Sequence, residues 1–345
     1  MSGVQTLTVG ADEGDQRLDR WLKRHFPQVT QGRIEKACRK GEIRIDGARA
    51  KSSTRVEPGQ QIRIPPLPEE GEIRPDLRDT SVSDEEAARI RAAVLYRDDH
   101  ILALNKPAGL ASQGGTGQTL HVDALAAALM FDAEEPPRLV HRLDKDTSGV
   151  LLMARTRTMA KALTDAFRAR DTRKIYWAIC AGVPNPSMGT IRFGLVKSGP
   201  AGHEKMRCIH PGEVAKTPDA RHATTDYAVI ERLASRAAWV ALVPVTGRTH
   251  QLRAHMAEIG HPVIGDGKYG GSGQENLGSG WGAQLGGDIS RKLHLHARSL
   301  MLTHPVTGKR LTLVAPLPDH MAKSWETLGW SPSDAPADPF EDDTR

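Results

Sequence analysis

The chain has 345 residues, a net charge of +5 and 39% apolar residues, enough for one large domain with a packed core plus a smaller one. Its three cysteines, Cys38, Cys180 and Cys208, lie far apart with no Cys-x-x-Cys spacing, which argues against a disulfide framework and a zinc site and fits a reduced cytosol. No basic-then-apolar leader opens the chain and no apolar run approaches the ~20 residues that span a bilayer, so a soluble, cytoplasmic protein is expected.

Charge is unevenly placed: residues 1–64 hold 13 Lys and Arg against 8 Asp and Glu, so the first fifth carries the whole excess, as a nucleic-acid-binding module would. Within it, Leu18, Trp21, Leu22 and Phe26 recur at helical spacing, with Arg17, Arg20, Lys23 and Arg24 turned elsewhere. A second short helix is predicted over 31–40, bearing Arg33, Lys36, Arg39 and Lys40 and stopping at Gly41. Alternating Ile43 and Ile45, the Asp46-Gly47 turn and a return strand at 61–64 complete a small helix-and-hairpin module.

Residues 65–86 hold Pro65, Pro66, Pro68 and Pro75, with 8 acidic residues against 2 arginines. That composition reads as a semi-rigid linker, which we place at 65–92 between a module at 12–64 and a body at 93–328. In the body, 94–96 and 101–104 flank a polar turn and predict a hairpin. The Gly114–Gly117 run lacks the spacing and Lys-Ser/Thr of a phosphate loop and reads as a turn before a helix over 122–130. Met159, Leu163 and Phe167 predict a helix with one buried face over 156–170. Residues 174–183 alternate as a strand, with Ile175, Trp177 and Ile179 on one side and Tyr176, Ala178 and Cys180 on the other. A buried strand over 240–245 and a helix over 250–259 follow. The glycine-rich 270–290 reads as a mobile loop and 329–345 as a disordered acidic tail.

The most informative stretch is His141 to Gly149 (HRLDKDTSG), followed at once by apolar Val150 to Met153. A turn feeding a buried strand keeps a loop carboxylate accessible on a rigid base. From the residues alone, Asp144 or Asp146 could equally cap the turn through neighbouring amides.

This stretch resembles the HRLDxxTSG signature, followed by Val or Leu, of the RluA-type pseudouridine synthases, which isomerise uridine in RNA. The N-terminal module resembles the S4-like αL RNA-binding domain in Gln16–Asp19, Arg39–Gly47 and Glu57–Ile64. The likeness extends over roughly 10–318. It implies an α+β fold, a mixed, mainly antiparallel central sheet with flanking helices, plus the small RNA-binding domain.

It further implies isomerisation of specific uridines, chiefly in 23S ribosomal RNA of the large subunit; the same chemistry on transfer RNA is the alternative. The reaction breaks the bond from ribose C1′ to uracil N1, turns the base and joins C1′ to C5. No electrons or groups are transferred in from outside, so no cofactor is expected. What it needs is a placed carboxylate, a cation to keep it ionised and a pocket for an extruded base.

By the resemblance Asp144 is the catalytic aspartate, as nucleophile or base, and Arg253, in the run Gly247 to Arg253, is the arginine paired with it. Tyr176 is the tyrosine beneath the target uracil, Arg142 the arginine pushed into the gap left by the flipped base, and Leu295 an apolar wall. Arg17, Arg20, Arg33, Arg39 and Lys40 are the expected RNA contacts of the N-terminal module. The pairs His250/His255 and His294/His296 have no carboxylate or cysteine at a metal spacing, so no metal is expected. A non-catalytic RNA-binding protein would not need Asp144, Tyr176 and Arg253 together, and a methyltransferase or nuclease would need a methyl-donor loop or metal cluster that is absent. No apolar helix face is left over for an obligate dimer, so a monomer is expected.

Overall fold

The computed structural model describes residues 3–11, 13–67, 82–114, 120–169, 172–200, 204–270, 289–336 and 338–340. The chain divides into two compact units, residues 1–80 and 81–345.

In the first unit the elements run β1 (Gln5–Thr8), β2 (Gln16–Arg17), α1 (Leu18–His25), α2 (Gln31–Lys40), β3 (Arg44–Ile45), β4 (Ala48–Arg49), β5 (Arg55–Val56) and β6 (Gln61–Ile64). The helical stripe read from the sequence packs inward, with Leu18, Trp21 and Leu22 buried against Ile34, Ile62 and Ile64. Helix α2 starts at Thr30, whose side chain accepts from Arg33 N, and ends at Gly41 in the left-handed conformation. Asp46 and Gly47 both take positive φ, as a tight hairpin turn requires. The module starts earlier than residue 12, because β1 pairs along its length with β6.

The second unit contains α3 (Asp84–Ala92), β7 (Val94–Arg97), β8 (Ile101–Lys106), β9 (Arg138–Leu139), β10 (Ser148–Ala154) and α4 (Arg157–Ala169). Then come β11 (Arg173–Ala181), β12 (Met188–Ser198), β13 (Lys205–Ile209), β14 (Arg221–Leu233), β15 (Ala237–Pro244) and α5 (Gln251–Glu258). Strands β16 (Leu295–Thr303) and β17 (Arg310–Val314) and helix α6 (Asp319–Thr327) close it. Among the described residues the strands form one sheet ordered β13-β12-β14-β15-β11-β16-β10-β8-β7, with β17 on β16 and β9 on β10. The β10–β16 pairing is parallel, and those on either side of it are antiparallel. The expected mixed, mainly antiparallel sheet with helices against it is the fold observed.

Both faces of the sheet are covered. One carries α3 and a 3-10 segment (Ala124–Leu129), where a longer helix over 122–130 was expected, over Leu104 and Leu151. The same face carries Leu252 and Met256 of α5 over Ala178 and Val240. Tyr176 is half-buried against both clusters and so stands at the seam between them. The other face holds Met159 and Leu163 of α4 and, beyond them, a cluster of Trp177, Trp239, Trp325 and Trp330.

Two expected boundaries shift. The stretch 84–92, assigned to the linker, is α3, which Ser83 and Glu86 cap reciprocally and whose Ala87 and Ile90 are buried in the body. The described part of the segment expected to be a disordered tail, 329–336 and 338–340, packs as well: Trp330 is buried, Phe340 packs on the tryptophan cluster and Asp338 pairs with Arg173 at 2.5 Å. Apolar Trp330 and Phe340 outweigh the acidic composition there. Of the glycine-rich stretch 270–290, expected to be a mobile loop, residues 271–288 lie outside the described residues.

Candidate active site

The loop from Leu143 to Thr147 reaches the sheet through Gly149. A Cβ at that glycine would lie 2.2 Å from the carbonyl oxygen of Ala297 on β16, and its φ is +110°, so no other residue allows β10 to begin beside β16. Three contacts then fix the loop. Ser112 is buried, and its hydroxyl donates to Leu143 O at 2.8 Å and accepts from Leu143 N at 3.0 Å. Gly109 N donates to Lys145 O at 2.9 Å. Lys106, fully buried, donates to the carbonyls of Pro107, Leu110 and Lys145 at 2.9, 2.7 and 3.1 Å. Burial pulls the Lys106 pKa down to about 7 against the attraction of Asp146 and Asp144, while its three carbonyl acceptors match an ammonium's three protons. Asp144 is thereby presented with a quarter of its side chain exposed.

Asp144 lines a cleft of about 530 Å³ together with His141, Arg142, Tyr176, Arg248, His250, Arg253 and Leu295. The structure therefore brings together all five body residues singled out in the sequence. Arg253 Nη1 lies 3.6 Å from Asp144 Oδ2. Its firmer partner is Asp266, unforeseen in the sequence, which takes Nε at 2.6 Å and Nη2 at 2.7 Å. Asp266 also accepts from the backbone N–H groups of Lys268 and Tyr269. Burial works against the Arg253 charge, but the bonds and charge of Asp266, helped by Asp144, hold its pKa above the ordinary arginine value. Asp266 follows Gly265, where a Cβ would lie 2.0 Å from Lys292 O. A Gly-Asp-Gly turn reads as loop chemistry, and only the fold shows where its carboxylate points.

On the sheet side, Tyr176 projects from β11 beside β16, where Leu295 is buried and also faces the cleft. Burial and, next, the charge of Asp144 raise the Tyr176 pKa, so its phenol stays neutral. On the helix side stands His250, the residue before α5, at φ 51°. Its Nε2 is 3.9 Å from Asp144 Oδ2 and its Nδ1 is 3.0 Å from the Tyr269 hydroxyl. Burial lowers its pKa, opposed by Asp144. Gln251, also unforeseen, pins the rim: its Oε1 accepts from Thr246 Oγ1 at 2.7 Å and Arg248 N at 3.1 Å. Arg142 is exposed at the mouth.

A profile of the family described as RNA pseudouridylate synthase matches residues 100–258, and one of the S4 domain matches 16–62. The ribosomal large subunit pseudouridine synthase C of Salmonella typhi is 34% identical over 329 residues, covering 94% of this chain and 97% of that protein. Its namesake from Vibrio cholerae is 32% identical over 323 residues, with 93% and 96% covered. The chain belongs to the RNA pseudouridylate synthase family. Among solved structures this synthase is similar to human RNA pseudouridylate synthase domain containing 4, with a TM-score of 0.58, 32% identity, and 70% of this chain and 95% of that one covered.

The four histidines weighed as metal pairs have other surroundings. His294 Nε2 contacts Ser324 Oγ at 2.8 Å and His296 Nδ1 contacts Ser148 Oγ at 2.8 Å. His255 is buried with neither ring nitrogen hydrogen-bonded among the described residues. No group of three or more His, Cys, Asp or Glu side chains gathers there in a metal-holding arrangement. No described helix is long and apolar enough to cross a membrane.

In the S4 unit the five expected RNA-binding cations divide. Arg17 is engaged by Asp19 at 2.5 Å, and Glu42 lies 3.4 Å from Arg33 and 3.7 Å from Lys40. Arg20 and Arg39 are exposed.

Proposed function

We propose that this synthase converts specific uridines of large-subunit 23S ribosomal RNA to pseudouridine, with Asp144 as the reacting carboxylate. The target rests on the relatives named for the ribosomal large subunit, which match along nearly the full chain. The observation that carries the catalytic reading is Asp144 Oδ2 lying 3.6 Å from an arginine whose other nitrogens are committed to Asp266. That arrangement supplies positive charge beside Asp144 without clamping it, which leaves the carboxylate free to reach C1′ or the C2′ proton.

In this reading the target base leaves its stack and lies against Tyr176 and Leu295, with the neutral phenol acting as a stacking surface and hydrogen-bonding group. Arg142, at the mouth, fills the space the base vacates. The C1′–N1 bond breaks, the uracil turns, C5 bonds to C1′ and gives up its proton to solvent, and N1 takes one up. Atoms and electrons balance without a cofactor or metal. In the S4 unit Arg20 and Arg39 are the main phosphate contacts, and Arg17, Arg33 and Lys40, which already face Asp19 and Glu42, add less. The protein acts as a cytoplasmic monomer.

The test is tritium release from C5-labelled uridine in a large-subunit RNA transcript, with filter binding alongside. Asp144→Asn keeps the shape and loses the charge, so release falls at least 10³-fold, in the range expected for loss of an essential group, while RNA is still bound. Asp146→Asn, two residues on, loses much less. Full activity in Asp144→Asn, or equal losses in both variants that follow unfolding, would overturn the assignment.

A further inference from the structure

His250 combines three features that packing alone does not require. A non-glycine residue sits in the left-handed region at φ 51° and ψ 20°, a conformation that costs free energy and tends to be retained where a side chain must be aimed. Its imidazole is mostly buried, with 18% of the side chain exposed, and that portion lines the cleft beside Asp144. Its inner nitrogen is occupied: Nδ1 lies 3.0 Å from the Tyr269 hydroxyl, with the two rings edge to face at 87°.

Tyr269 fixes which nitrogen carries the proton. Its oxygen already accepts the Met206 N–H at 2.8 Å, and burial pushes its pKa up to about 12, so the phenol keeps its proton. With that proton donated to Nδ1, the imidazole proton lies on Nε2. Nε2 points into the cleft 3.9 Å from Asp144 Oδ2, beyond hydrogen-bonding range. A donor held on a strained backbone beside the reacting carboxylate thus lacks an acceptor across that gap.

The walls of the cleft indicate what the acceptor is. Tyr176 and Leu295, on adjacent strands, form its apolar side, and His250 and Arg253, at the start of α5, its polar side. A nucleotide with its base on the apolar side turns its ribose toward α5. An Asp144 oxygen about 3–3.5 Å from C1′ brings the ring oxygen and the hydroxyl on the neighbouring C2′ toward Nε2, and of the two the hydroxyl is the one that differs between ribose and deoxyribose. We propose that His250 contacts substrate, donating its Nε2–H to the 2′-hydroxyl of the target nucleotide, and so contributes to the choice of ribose over deoxyribose. The 2′-hydroxyl is the group by which a protein distinguishes RNA from DNA at a given position. This rests on the reading of Asp144 as the reacting carboxylate.

The test crosses two proteins with two substrates under single-turnover conditions. The proteins are the full chain and His250→Gly, which deletes the ring and suits φ 51° better than any other residue. The substrates are an RNA carrying uridine, or 2′-deoxyuridine, at the position the enzyme modifies. The deoxy substrate is expected to slow the wild type at least tenfold and His250→Gly less than about threefold, because the partner of the missing hydroxyl is already gone. Equal slowing in both proteins would overturn the proposal. His250→Asn, whose side chain also tolerates the left-handed region, serves if the glycine variant does not fold, and the same criterion applies. Tyr269→Phe releases the tautomer and should lose rate while keeping part of the deoxy sensitivity. Asp144→Asn, run in parallel, separates the two readings: if it stays active the catalytic assignment fails, whatever the His250 cycle shows.

Discussion

Replacing Asp266 with asparagine probes how Asp144, the proposed reacting carboxylate, is supported without touching it. Asp266 is fully buried and receives Arg253 Nε on one oxygen and Arg253 Nη2, Lys268 N and Tyr269 N on the other. An asparagine oxygen can serve the second group, but its amide then faces Arg253 Nε, donor against donor. Two charge-assisted bonds of about 1.5–3 kcal/mol each become at best one neutral-acceptor bond. Only 8% of the arginine side chain is exposed, so water does not replace what is lost. The expected cost is about 3–5 kcal/mol, the range for breaking a buried pair from one side. The freed guanidinium closes the 3.6 Å gap to Asp144 and clamps it, so kcat should fall about 10²-fold, the scale of a displacement of about 1 Å at a reacting group. Urea unfolding followed by fluorescence of the tryptophan cluster gives the first number and tritium release the second. A loss below about 1 kcal/mol with kcat unchanged would show that Asp266 does not hold Arg253 in solution.

Ser112→Ala should cost about 1–3 kcal/mol by leaving the buried Leu143 N–H and C=O unpaired, and should lower kcat more than it raises KM; equal activity would mean that the loop holds Asp144 without the hydroxyl. Arg20→Gln with Arg39→Gln should shallow the salt dependence of RNA affinity by about 0.7–0.9 for each phosphate no longer neutralised, whereas Arg17→Gln, already engaged by Asp19, should change it little. Burial lowers His255 to about 4, so between pH 6.5 and 4 the unfolded chain binds the proton that the folded one refuses. The stability this histidine contributes is therefore fully present above 6.5 and lost as pH falls toward 4, by up to about 1.4 kcal/mol per pH unit. His255→Leu should flatten the urea midpoint against pH in that window, and an unchanged slope would show that His255 does not titrate there.

Short-range signals carried much of this structure into the sequence. The stripe of Leu18, Trp21 and Leu22, the alternation along 174–181 and the apolar run after Gly149 each became the expected element, because burial on one face or both leaves a local pattern. Strands β12 to β14 went unforeseen: Gly189 and Gly194 and a row of exposed charges break their alternation, and they are strands because of their neighbours. At the site, Asp144, Tyr176 and Arg253 were legible as members of motifs. Asp266 and Ser112 were not, since their part is played through contacts with residues 13 and 31 positions away.

The place of β16 in the sheet sets an order of events for synthesis of this enzyme. The loop carrying Asp144 precedes β10, Tyr176 lies on β11, and among the described residues the two strands meet in the sheet only through β16, which begins at Leu295. Until β16 emerges from the ribosome and inserts, no strand links β10 to β11, and the cleft between Asp144 and Tyr176 cannot close. Closing it is a long-range step of the kind that slows folding. Modifying activity therefore arises only once the chain has been made past Thr303, and a chain that stops short of β16, whatever its S4 unit can already bind, cannot alter a uridine.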